Sequence, residues 1–73
     1  MKNNIRVERA ILRISQQELA DKIGVTRQTV NAIELEKFVP SAVITMKMSA
    51  IFGKPVNDFF YLEESDWGNA VRE

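Results

Sequence analysis

The sequence predicts an all-α domain, five short helices around one core. Three observations carry that expectation. Apolar residues recur at helical rather than alternating spacing. Ser15, Thr26 and Ser41 stand where helices would begin, and Gly24 and Gly53 stand where they would end. No stretch reads as a strand. At 73 residues the chain is one small domain. The expected division is a folded unit over residues 1–64 and a polar tail over residues 65–73.

The first helix is expected over about residues 4–14, capped by Asn3 or Asn4, with Ile5, Arg9 and Leu12 inward and Ile11 outward. An arginine on that inner stripe requires a partner, because an unpaired buried charge is costly. The second helix, residues 16–23, starts from Ser15. Glu18 lies three residues on and completes a capping box. Leu19, Ala20 and Ile23 form its apolar face, and Gly24 ends it, since glycine takes the left-handed C-terminal position at little steric cost. Val25 plugs the turn and Thr26 caps the third helix, about residues 27–35. There Val30 and Ile33 point inward while Arg27, Gln28 and Asn31 face out. Two helices meeting through a glycine-bearing turn form the helix-turn-helix plan.

Beyond Pro40, Ser41 caps a fourth helix over residues 42–52, with Ile44, Met48, Ile51 and Phe52 inward and Met46 also assigned to the core. Gly53 stops it and Pro55 prevents its continuation. A fifth helix, residues 56–60, supplies Val56, Phe59 and Phe60. Trp67, in the polar stretch that follows, is open between three roles: disorder, packing on its own chain, or contact with a second copy.

Composition excludes several classes. The chain has no cysteine and no histidine, so disulfides, thiolate metal sites and the usual general base are missing. No nucleophile is paired with a base, and the expectation is not an enzyme, with no cofactor. The glycines are too scattered for a phosphate-cradling loop. No apolar run reaches membrane-spanning length and no signal peptide is visible, so the expected location is cytoplasmic with no membrane partner. Net charge is zero but unevenly spread. Residues 1–37 carry seven basic and five acidic side chains, residues 38–73 three and five. The basic half contains the two-helix motif, so it can present a positive face to phosphates.

The run SQQELADKIGVTRQTVNAIE, continued by PSAVITMKMSAIFGKPVNDFFYLEE, resembles the phage repressor/Cro-like (XRE-type) helix-turn-helix transcription regulators in their short stand-alone form. The likeness covers about residues 4–64. It implies a lambda-repressor-like five-helix domain that binds double-stranded DNA as a homodimer and regulates transcription, most often as a repressor. It also implies a partner for Arg9, namely Glu34, in a structural ion pair. Two departures stand out. Leu35-Glu36 replaces the small polar pair, commonly Asn-Gly, that follows the matching glutamate in the family, and puts a carboxylate near the phosphates. Ala32 lies on the DNA side without polar reach.

A recognition helix reads bases with its N-terminal residues. Arg27, Gln28 and Asn31 are the expected base readers: arginine suits guanine, and glutamine and asparagine suit adenine. Gln16, Thr26 and Lys37 are the expected contacts to the DNA backbone, Gln16 because a helix N-terminus favours anions. The segment from Phe60 through Trp67 is the expected dimer surface. A competing reading is a protein-interaction module, such as an antitoxin that binds a partner protein. Zero net charge, the acidic tail and Leu35-Glu36 favour it.

Overall fold

The structure is a computed structural model and describes residues 1–68. In chain order it runs β1 (Lys2–Asn3), α1 (Ile5–Leu12), α2 (Gln16–Ile23), α3 (Arg27–Glu34), α4 (Ala42–Phe52), a 3-10 turn (Val56–Asp58), β2 (Phe60–Tyr61) and α5 (Glu64–Trp67). Helices α2 and α3 pack on each other, and α4 lies against α1 and α2. The core is built from Ile5, Leu19, Ala20, Ile23, Val30, Ile33, Met48, Phe52, Phe59 and Phe60.

Local chemistry sets the helix ends. Ser15 Oγ accepts the Glu18 N–H, and Glu18 accepts the Ser15 N–H, which completes the capping box. Thr26 and Ser41 cap α3 and α4 through their hydroxyls. Gly24 closes α2 at φ 77° and Lys47 donates to the Ile23 carbonyl, which satisfies one of the carbonyls freed at that end. Helix α3 ends without glycine. The Lys37 N–H bonds to the Ala32 carbonyl and the Glu36 N–H to the Ile33 carbonyl, the paired bonds of a Schellman ending, with Glu36 at φ 63°. Arg13 closes α1 in the same way at φ 58°.

Four expectations about packing are corrected. Leu12 is 42% exposed, because α1 ends there and the residue stands past the edge of the core. Glu8 takes the inward place at 6% exposure, with its carboxylate 3.0 Å from Lys54 Nζ. Met46 is 67% exposed, while Met48 is fully buried. Helix α4 is apolar on nearly every side, so its sequence alone does not fix which face turns inward.

The third and fourth corrections concern the end of the core. The expected fifth helix stops after one 3-10 turn. Phe60–Tyr61 instead pairs antiparallel with Lys2–Asn3, in the register Lys2 to Tyr61 and Asn3 to Phe60, so the described residues do contain strands. Phe59, at the bend between the 3-10 turn and β2 (φ −134°, ψ −5°), and Phe60, the first residue of β2, are both buried. Phe59 stacks edge-on against Phe52 with ring centres 5.0 Å apart. The sheet also ties the N-terminus to the motif, because Asn3 Nδ2 donates to the Ile33 carbonyl at 2.8 Å. Asn3, not Asn4, supplies the side-chain acceptor for the first N–H of α1.

Helix α5 spans the expected boundary between residues 64 and 65. The Met1 ammonium lies 3.1 Å from Glu63 and 3.2 Å from Asp66. Residues 69–73 of the expected tail lie outside the described residues. Among the described residues no buried side-chain polar atom lacks a partner, and no helix is long and apolar enough to cross a membrane.

Candidate nucleic-acid interface

Helix α3 presents Arg27, Gln28 and Asn31 to solvent, all three exposed. Arg27 and Gln28 occupy its first turn and Asn31 the next. Gln16, the first residue of α2, is half-buried beside them, and these four side chains line one shallow recess of about 220 Å³. Helix α2 brings Gln16 there because its capping box fixes where the helix begins. The Gly24 turn then brings the start of α3 alongside.

A hydrogen-bond network joins three of these side chains, Gln16, Arg27 and Asn31, to the ion pair beneath. Arg9 Nε and Nη2 donate to Glu34 at 2.6 and 3.2 Å, and Arg9 Nη1 donates to the Ile14 carbonyl at 3.1 Å. The pair bridges α1 and α3, and the Glu34 side chain is only 3% exposed. Gln16 Nε2 donates to Glu34 Oε1 at 3.2 Å and to Asn31 Oδ1 at 3.1 Å. Gln16 Oε1 accepts from Arg27 Nε at 3.4 Å. Gln16 is thus a hub between the buried pair and the outer face, a role beyond the backbone contact expected of it. Sequence spacing gave no sign of that hub, because its partners Arg27, Asn31 and Glu34 all lie on another helix, α3, and reach it only through packing.

A second recess adjoins the first and is lined by Arg9, Ser15, Gln16, Gln17 and Arg27. Arg27 and the N-terminus of α2 meet there, a pairing that suits an anion, while the Arg9 charge is already taken by Glu34. Gln17 was not among the expected residues. Its place in the first turn of α2, next to Gln16, is the signal that would have found it. Thr26 sits at the N-cap of α3, its hydroxyl 3.1 Å from that of Thr29. Lys37 is exposed just past the end of α3 and lines neither recess. Glu36, beside it, is exposed as well.

Two capped helices joined by a glycine turn, with a polar outer face on the second and an anion-attracting end on the first, define a helix-turn-helix domain. Comparison with known proteins agrees. A helix-turn-helix family profile matches residues 5–59, and the chain belongs to that family. An uncharacterized HTH-type transcriptional regulator of Methanocaldococcus jannaschii is 39% identical over 66 residues, covering 90% of this chain and 100% of that protein. One of Bacillus subtilis is 42% identical over 66 residues, with the same coverage. One of Archaeoglobus fulgidus is 35% identical over 69 residues, covering 93% of this chain and 99% of its own length.

Proposed function

We propose that the protein binds DNA sequence-specifically as a homodimer and regulates transcription, acting as a repressor by occupying promoter DNA. The observation that carries this reading is the single recess in which Gln16, Arg27, Gln28 and Asn31 meet on an open face. In this reading α3 enters the major groove and its first two turns meet base edges. Arg27, Gln28 and Asn31 read bases. The recess at the start of α2 takes a phosphate, with Gln16 nearest to it, while Thr26 and Lys37 add backbone contacts. The names of the relatives, HTH-type transcriptional regulators, support the transcriptional role.

One domain this small makes few contacts, so two copies on a two-fold site supply the affinity, with half-sites about 34 Å apart. Tyr61, Leu62 and Trp67 expose apolar surface for the pairing, whereas Phe60 is buried in its own core and takes no part. Binding to the DNA upstream of the protein's own gene, followed by fluorescence anisotropy as salt is raised, tests the reading. The expected log–log slope is about 0.9 per phosphate neutralised. Absence of binding at low salt argues against it. A footprint with two symmetric halves tests the dimer, and transcription from that promoter falling as protein is added tests repression.

A further inference from the structure

We infer that Glu34, acting through Gln16, fixes Asn31 as a hydrogen-bond donor toward DNA, so that the base it meets is one presenting acceptors, guanine above all, and not adenine. The inference rests on the reading of α3 as the DNA-reading helix and goes on to name the base. It begins with Glu34, whose hydrogen-bonding sense, like that of the two arginines of the network, is not free. Glu34 is held by two donors of Arg9, and an ionised carboxylate only accepts. The atom of Gln16 lying 3.2 Å from Glu34 Oε1 is therefore the amide nitrogen. An oxygen there would face a carboxylate oxygen with no proton between them.

That orientation propagates outward. The same nitrogen lies 3.1 Å from Asn31, so the atom Asn31 turns toward it is the acceptor, Oδ1. The Asn31 amide nitrogen is the end left for DNA, and the residue is exposed. Gln16 Oε1 meanwhile accepts from Arg27 Nε, which leaves the terminal nitrogens of Arg27 as outward donors too. An asparagine that reads adenine uses both ends of its amide, accepting from N6 and donating to N7. Here the accepting end is turned toward Gln16, which takes one of its two lone pairs and sets the direction of the amide. Guanine offers two acceptors in the major groove, N7 and O6. Adenine adds a donor beside its one acceptor, and cytosine offers a donor. Gln28 lies outside the network and keeps both senses, so it remains the residue suited to adenine.

Selection of bound sites from a random duplex library tests this, using the full chain, Asn31→Ala and Gln16→Leu. Asn31→Ala identifies the contacted base pair as the one whose preference relaxes. At that pair the wild-type protein is expected to prefer guanine over adenine by about tenfold. In Gln16→Leu, with melting used to check the fold, the Asn31 amide is free to turn. The guanine-to-adenine ratio there should fall at least about threefold, while the position read by Gln28 keeps its preference. The wild-type preference stands as a test by itself if Gln16→Leu does not fold. Adenine at the wild-type position overturns the inference, as does a folded Gln16→Leu with an unchanged ratio, or an Asn31→Ala that relaxes no position. Each of these leaves α3 as a reader through Arg27 and Gln28. A wild-type protein that enriches no sequence overturns the DNA-reading function as well.

Discussion

Glu36 is held at φ 63° by the two backbone bonds that end α3. Left-handed backbone costs a residue with a Cβ roughly 1–2 kcal/mol, and glycine avoids it. Glu36→Gly is therefore expected to stabilise the fold by about 1 kcal/mol, raising Tm by roughly 4–8 °C for a domain of this size. Glu36→Ala removes the same charge but keeps the strain, so it should leave Tm nearly unchanged. Thermal melting of the two variants separates backbone strain from charge. The reverse sign applies at Glu34. Its replacement by alanine strands the Arg9 guanidinium, which is mostly shielded from water. The expected loss is about 2–4 kcal/mol, somewhat below a fully buried pair because Arg9 keeps some solvent contact. A melting temperature unchanged in Glu34→Ala would mean that the pair contributes little.

At the scale of the helix, neighbouring residues on one element have opposite roles. On α4, Met48 is fully buried and Met46 largely exposed. Met48→Ala is expected to cost about 2–5 kcal/mol through lost burial and the cavity left behind. Met46→Ala should stay within about 0.5 kcal/mol. Chemical denaturation of both variants tests which face of α4 the core takes. On α3, Val30 and Ile33 are buried while Gln28 is exposed. Gln28→Ala should leave the melting curve in place. It should weaken cognate DNA binding by about 1–3 kcal/mol and relax one base pair. A loss spread evenly over all sequences would instead make Gln28 a phosphate contact.

Across the whole molecule, Met1 is joined by charge to Glu63 and Asp66 at the start of α5. Hydrogen bonds from the Met1 ammonium to Glu63 and then Asp66 raise the amine above its ordinary 8.0. The Glu63 backbone N–H, and then the Met1 ammonium, hold Asp66 below its ordinary 3.8. A raised amine contributes stability fully below 8.0 and loses it as pH rises through the folded value. A depressed carboxylate contributes above 3.8 and loses it as pH falls through its folded value. Between those limits the latch on α5 holds. Trp67 is the chain's one tryptophan and ends α5, so its emission reports the latch. A flat signal from about pH 4 to 8, with changes on either side, is the expected profile. A single transition inside that window would mean that the latch does not hold α5.

Helix α2, the glycine turn, and the starts of α3 and α4 were legible in the residues alone. These depend on caps and periodicity acting within a few residues of the chain. The sequence also pointed to Arg27, Gln28 and Asn31 as an outward polar face, because that follows from helical spacing alone. The remainder depends on packing between distant parts of the chain. Two-residue strands have no period to read. An all-round apolar helix such as α4 does not announce its inner face, and Glu8 could be buried only because Lys54, 46 residues away, reaches it. The orientation of Gln16 and Asn31 was likewise beyond the sequence. A hydrogen bond takes its direction from its partner, and the partner that fixes this one, Glu34, is brought there by the packing of one helix against another.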